Sequence, residues 1–403
     1  MKRLLLIFCV ALIIGSGTCF SQIPRLFTSD RLSSNLITCI CQDKAGYLWI
    51  GTEYGLNKFD GYRFTTYLHD DADTTTVHDN SITSLFVDRN GNLVVGSSQG
   101  ASVYDYDKNC FHVLRSRNNP KPHFSHFVQL PDNKLLACTA GFGLFAVNIE
   151  TTTLIPFGEI RPNNTENFYN SIYLDRNNDL WKIGNEPFVS KYKNCKVRPG
   201  LAKNYFSQMG IPQEFITTAD GTIIVICQHG LMRYDERNDR MVVMNINYGP
   251  FDVNALMMDC GIISRRGDIF IGTKGNGVFC IRKGTNLLTT VGSDIKGFDL
   301  TSTSIRALCE DKENNLWVGC NKKGLLFMPS RKAKFTTWNF SQQNTNIGGS
   351  VTSICKGEDG ITWCAVQNNG VYGFDSNGKI CAHPKAPAGT NIIYRDRQRR
   401  FWI

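Results

Sequence analysis

The feature that most constrains the fold of this chain is a repeat of about 45 residues. Its first copy runs Ile37-Thr38-Cys39-Ile40-Cys41, then Asp43-Lys44-Ala45-Gly46, then Tyr47-Leu48-Trp49-Ile50-Gly51-Thr52, and on through Gly55 and Phe59. The tryptophan place returns as Val94, Leu136, Trp181, Ile224, Phe270, Trp317, Trp363 and Trp402, at intervals of 39 to 47 residues. Loops of unequal length around a constant unit produce that drift, and a fixed period of this size marks a repeat architecture.

Each part of the unit has a physical reading. The opening apolar run of five residues is too short for a helix, and its β-branched content suits a strand. An aspartate precedes the tryptophan place by six residues at Asp43, Asp88, Asp175, Asp311 and Asp396; three residues after each stand Gly46, Gly91, Asn178, Asn314 and Arg399. Glycine and asparagine enter left-handed turns most readily, and the aspartate can accept hydrogen bonds from its own turn, so a hairpin is expected between strands one and two. A second turn uses Gly55, Gly100, Gly143, Gly230, Gly277, Gly324 and Gly370. Strand three follows, often ending in an aromatic such as Phe59 or Tyr104, and the weakest strand, the fourth, falls at residues 64–68 and 335–338.

Four short antiparallel strands per unit predict an all-β fold: a seven-bladed β-propeller of four-stranded antiparallel blades, followed by the first one to two blades of a truncated second propeller. The tryptophans are then structural, each contributing on the order of 2–3 kcal/mol by burial between neighbours. The expected domains are residues 22–340 for the propeller and 341–403 for the start of the second, whose last copy stops inside its second strand, so a continuation is expected. Residues 23–27 read as one more strand-four copy, able to close a ring by pairing with a distant blade.

Residues 1–21 read as a secretory signal peptide: Lys2 and Arg3 lead, residues 4–14 are apolar, and Cys19 and Ser21 suit cleavage before Gln22. The apolar core is shorter than the roughly 20 residues a membrane span needs, and no span is expected beyond it. Removing Lys2 and Arg3 takes the formal charge from +9 to +7, spread widely apart from Arg395, Arg397, Arg399 and Arg400. That charge is compatible with acidic ligands without demanding them, and an exported chain is not expected to meet nucleic acid. Beyond Cys9 and Cys19 the cysteines form no C-x-x-C pair, so no metal spacing supports ligation. Cys41, Cys309 and Cys355 recur four residues after Ile37, Ile305 and Val351, where a buried strand wants a small apolar residue.

The run Gln42-Asp43-Lys44-Ala45-Gly46-Tyr47-Leu48-Trp49-Ile50-Gly51-Thr52, continued by Gly55-Leu56-Asn57-Lys58-Phe59-Asp60-Gly61-Tyr62, resembles the two-component regulator propeller repeat, and Asn314-Asn315-Leu316-Trp317-Val318-Gly319 is another close match. The resemblance extends over nearly all of residues 23–403 and is degraded in copies three to five. This family builds the periplasmic sensor region of hybrid two-component systems in Bacteroides-type bacteria. There, two seven-bladed propellers precede an immunoglobulin-like domain, a membrane helix, a histidine kinase, a receiver and a DNA-binding domain. The resemblance implies a periplasmic sensor, not itself an enzyme, that binds oligosaccharides, acidic ones among them, and regulates glycan-utilisation genes. It implies a homodimer for full-length members, and a membrane tether only through a C-terminal continuation. The alternatives are a propeller-fold polysaccharide lyase and a protein-interaction scaffold.

No H-E-x-x-H or phosphate-binding loop occurs, so no catalytic residue, metal or cofactor is assigned. His123 and His126 read as loop residues. Ligand contacts are expected from the loops between strands two and three and from those linking consecutive blades, whose side chains are free of strand packing. The candidates are Tyr54, His78, Phe142, Tyr169, His229, Lys274, Asn276 and Lys322. Aromatic faces with amides and cations suit a sugar.

Overall fold

The computed structural model describes residues 24–116, 121–158, 168–198, 200–292, 297–330, 350–357, 360–376, 378–387 and 389–403. The expected signal peptide lies outside them. Two compact units divide the chain, one of Gln22–Lys332 and one containing Ala333–Ile403.

Among the described residues the first unit holds seven sheets. Their first strands, Ile37–Gln42, Ile82–Val87, His123–Gln129, Ser171–Leu174, Pro212–Thr217, Met258–Ile263 and Ile305–Glu310, define sheets 1 to 7. Within each sheet the main strands pair antiparallel with their neighbours; sheet 3 adds Arg115–Ser116, parallel to its outer strand. Each first strand lies against the first strand of the next sheet, and that of sheet 7 lies against that of sheet 1, so the seven surround a common axis.

The aspartate turn explains the hairpins. Asp43 Oδ1 accepts the backbone N–H of Gly46 and of Tyr47 at 2.8 and 2.9 Å, while Oδ2 accepts the indole N–H of Trp49 at 2.8 Å. The same carboxylate-to-indole bond is 2.8 Å at Asp175–Trp181 and at Asp311–Trp317. The glycines and asparagines read as left-handed are so: Gly46 (φ 99°), Gly91 (97°), Asn178 (60°) and Asn314 (64°), and Arg399, at the same place in the repeat, is left-handed as well (69°). Arg399 has a Cβ that resists this conformation, and the turn imposes it.

Each of these three indoles is held between two aromatic rings. Trp49 lies 5.8 Å from Tyr67 of its own outer strand and 4.7 Å from Tyr104 of sheet 2. Trp181 lies 5.4 Å from Tyr205 and 4.7 Å from Tyr234 of sheet 5, and Trp317 lies 6.2 Å from Phe27 and 5.6 Å from Phe59 of sheet 1. A second joint repeats at the inner edge. Gln42 accepts the N–H of Lys312 at 2.7 Å, Gln129 that of Arg89 at 2.8 Å and Glu310 that of Arg265 at 2.7 Å, each from the preceding sheet.

Sheet 7 is completed from the other end of the unit. Arg25–Phe27 pairs antiparallel with Gly324–Met328, in the register Arg25↔Phe327 and Phe27↔Leu325. The expected outer strand at residues 335–338 lies outside the described residues, and the place it would need is taken. A strand has two edges, and Gly324–Met328 gives one to Leu316–Cys320 and the other to Arg25–Phe27. Gly324 (φ 90°) is required here, because a Cβ would run into the Phe27 carbonyl.

In the second unit Val351–Lys356, Thr362–Val366, Gly370–Phe374 and Ile380–Ala382 form a four-stranded sheet in chain order. Tyr394–Arg395 pairs with Phe401–Trp402, and Asp396 accepts the Trp402 indole N–H at 3.0 Å. No helix among the described residues is long and apolar enough to cross a membrane.

Two outcomes are expected. Asp311→Ala strands the Trp317 indole and the Asn315 N–H and lowers unfolding stability by about 2–3 kcal/mol, read as a guanidinium midpoint. Deleting residues 22–27 bares the edge of Gly324–Met328 and uncovers Trp317, giving a red-shifted tryptophan emission and a lower midpoint than the intact chain.

Candidate functional site

One end of the axis is built from the turns between second and third strands and the links between sheets. Here six of the first strands carry an irregularity. The register slips between Ile37 and Cys39, Ile82 and Ser84, Phe124 and His126, Pro212 and Glu214, Met258 and Cys260, and Ile305 and Ala307. Thr38, Thr83, Ser125, Gln213, Asp259 and Arg306 are the extra residues. A bulge leaves its residue out of the ladder and re-aims it, and all six are polar.

Across sheets 5 to 7 these residues gather a charged cluster. Asp259 is ion-paired to Lys274 at 3.0 Å and to Arg306 at 3.5 Å; it is largely buried, whereas the two cations remain substantially exposed. Beside it Glu214 accepts the N–H of Gly261 at 2.8 Å, capping the inner edge of the next sheet. Burial pushes the Glu214 carboxyl up to about 7; the Gly261 N–H opposes this and the Asp259 charge adds to it. The result is a partly neutral acid next to one carboxylate and two cations that still face solvent.

On sheets 3 and 4 the same inner layer holds His126 and Ser171. Both are strand residues, and so is His123, which corrects the loop reading. Burial lowers the His126 imidazole to about 4, so it is neutral at pH 7. His126 Nδ1 and Ser171 Oγ are buried without a hydrogen-bond partner among the described residues, as is His229 Nδ1.

Of the eight residues expected from sequence, Lys274 joins the charged cluster. Tyr54 and Phe142 are 56% and 42% exposed in the turns of sheets 1 and 3. Asn276 and Lys322 are exposed turn residues of sheets 6 and 7, Lys322 with a left-handed backbone (φ 62°). His78 is half-buried, its ring seated where a Cβ on Gly100 would stand. His229 is half-buried as well. Tyr169 is not a loop contact: it is buried in the core with Leu136, Cys138 and Ile172, with Lys182 Nζ 4.4 Å from its ring centre. Reading it as a link residue overlooked that it opens its sheet where Ile37 opens sheet 1. Asp259, Arg306 and Glu214 were missed. The available signal was a polar residue in the second or third place of an apolar strand-one run, as in Met258-Asp259 and Ile305-Arg306.

Clefts also occur at the other end of the axis, one of about 500 Å³ lined by Asp175, Arg176, Asp220, Arg233, Asp235 and Arg237 among others. None of the eight expected residues lines it.

Radial antiparallel sheets around an axis, closed by the N-terminal strand, make this molecule a β-propeller. Residues 31–54 and 299–322 match the family model of the two component regulator propeller, and these two stretches meet where sheet 7 joins sheet 1. In structure it is similar to the extracellular domain of a hybrid two component system from B. thetaiotaomicron, with a TM-score of 0.66 and 20% identity over 94% of this chain and 52% of that one. A second extracellular domain from B. thetaiotaomicron gives 0.58 and 18% over 95% and 51%. Virginiamycin B lyase from Staphylococcus aureus gives 0.59 and 12% over 76% and 99%. At these identities the fold is what is shared. In sequence, a stretch of 48 residues, 12% of this chain and 4% of the other, is 48% identical to histidine kinase P4 of Formosa agariphila. The chain spans about half the length of the extracellular domains it matches.

The Glu214 environment sets a pH dependence. Its carboxyl is raised from 4.5 to about 7 in the fold, so the unfolded chain loses this proton first as pH rises. Stability therefore falls between about pH 4.5 and 7 and levels off above. In Glu214→Gln that decline is smaller, and the melting temperature at pH 8 rises by about 2 °C or more, read by calorimetry across the pH series.

Proposed function

We propose that this chain is the ligand-sensing propeller region of a two-component sensor, exported to the periplasm, and that its ligand is an oligosaccharide bound at the axial end formed by the bulged first strands. The observation that carries the reading is the Asp259, Lys274 and Arg306 cluster, held by strands yet open to solvent on its cationic side. A ligand carboxylate would have Arg306 and Lys274 to pair with, and sugar hydroxyls would have Gln213, Asn276 and the neutral His126. Tyr54 and Phe142 offer exposed rings for the apolar face of a sugar.

Three cations at the opposite end are committed to structure. Lys312 Nζ donates to the Lys44 carbonyl at 2.6 Å, Arg265 to that of Lys312 at 2.8 Å and Arg89 to that of Leu130 at 3.3 Å. Each stitches one sheet to the next.

Titration calorimetry of the chain against neutral and uronate-containing oligosaccharides tests the reading. Binding of an acidic member is expected, weakened about tenfold or more by Arg306→Ala and by Lys274→Ala, with unchanged thermal midpoints. No heat from any oligosaccharide, or binding indifferent to both substitutions, would refute this site.

A further inference from the structure

We propose that Asp105, Cys110 and His112, on the outer hairpin of sheet 2, form a binding site for a borderline divalent cation of the Zn²⁺ class. The three come from two paired strands, Ala101–Asp105 and Cys110–Val113. Asp105 stands directly opposite Cys110, and His112 lies two residues beyond Cys110. Side chains alternate along a strand, so Cys110 and His112 share the face on which Asp105 meets them. Their donor atoms all lie within 4.8 Å of one another, and His112 Nε2 is 3.2 Å from Asp105 Oδ2. Around a tetrahedral zinc ion, with bonds of about 2.0–2.3 Å, donors sit roughly 3.3–3.6 Å apart. The imidazole–carboxylate pair is close to that spacing, and the thiol lies within 4.8 Å of both.

The hairpin holds the carboxylate in place. Asp105 Oδ1 accepts the N–H groups of Asp107 and Lys108 at 3.0 Å each, leaving Oδ2 for the cation. Asn109, left-handed at φ 53°, accepts the phenolic hydroxyls of Tyr104 at 2.5 Å and Tyr67 at 2.7 Å, which fixes the turn between the ligands. Lys108 opposes the cation: its ammonium is 3.4 Å from Asp105, but its side chain is 71% exposed and free to swing away.

The triad is not a product of the repeat. In sheet 5 the matching hairpin has Asp235 opposite Arg240, an acid–base pair 3.9 Å apart with no sulfur or imidazole. Cys110 and His112 replace that arrangement with the mixed sulfur, nitrogen and oxygen donors that Zn²⁺ takes in preference to Ca²⁺ or Mg²⁺. Three protein ligands leave the fourth position for water or a partner's side chain. This site is independent of the axial reading.

Cobalt(II) titration of the full chain under reducing conditions tests it. A tetrahedral d–d spectrum with a near-ultraviolet thiolate charge-transfer band is expected, displaced by Zn²⁺ but not by Mg²⁺ or Ca²⁺. Cys110→Ser abolishes the charge-transfer band, and His112→Ala weakens cobalt binding at least tenfold, while Cys381→Ser, at an exposed thiol elsewhere, changes neither. No band at millimolar cobalt, or a band that survives Cys110→Ser, overturns the proposal. Unchanged circular dichroism in the variants separates loss of ligand from loss of fold.

Discussion

A carboxylate shared between a turn and an indole is the interaction on which the rest depends. One oxygen satisfies the N–H groups of a tight hairpin; the other satisfies the N–H of a buried tryptophan, which would otherwise cost about 1–3 kcal/mol unpaired. The residue that shapes each hairpin thereby also fixes the ring that packs against the next sheet. The chain contains its own controls. Where the tryptophan place is Val94, Asp88 Oδ2 turns instead to the Asn92 amide at 2.8 Å. Where the place is Ile224 or Phe270, with no indole to satisfy, the aspartate gives way to Thr218 and Ser264. Each hydroxyl accepts just the N–H four residues on, at 3.0 Å. Asp43, Asp175, Asp311 and Asp396 each hold an indole, whereas Asp88 keeps its carboxylate without one and Trp363 has Gly357 at the aspartate place.

Ring closure follows from the same joint. The Trp317 indole needs an aromatic from its own outer strand on one side and from the following sheet on the other. It finds Phe27 and Phe59, both from the beginning of the unit. Closing the ring with the N-terminal strand makes the last joint equivalent to Trp49 and Trp181 instead of a bare seam. It also leaves no first strand without a neighbour, which gives the bulged residues fixed positions around the axis.

Much of this was legible in the sequence, for a physical reason. The turn residues, the spacing of six between aspartate and indole, and the second-turn glycines are dictated by local geometry, so they recur in every well-kept copy. Arg399 shares the left-handed conformation of the glycines and asparagines at its place in the period. What lay beyond reading was non-local. Whether residues 23–27 or 335–338 complete sheet 7 depends on which reaches a strand hundreds of residues away. Tyr169 looked like a link residue because sheet 4 has a short first strand, Ser171–Leu174, so the position that opens it falls before the ladder begins. The charged cluster was hidden for a related reason: Glu214, Asp259 and Arg306 sit inside apolar strand runs and meet only when sheets 5, 6 and 7 stand side by side.

That concealment points to how such a ring can carry specificity. A first strand has little freedom, because residues such as Ile37, Ile82 and Ile305 are fully buried between sheets. The bulge releases one position per strand from that duty without moving its neighbours, and the released residues differ: two threonines, a serine, a glutamine, an aspartate and an arginine. Packing requires only that they be polar enough to face water. Their identities are thus free to vary while the aspartate–indole joints stay fixed, so recognition can change without loss of the fold. The turns that hold Tyr54, Phe142 and Lys274 border the same end of the axis, and they too lie outside the joints. The stable part of the repeat and its variable part occupy different positions in the same 45 residues, and that separation lets one architecture present different binding surfaces.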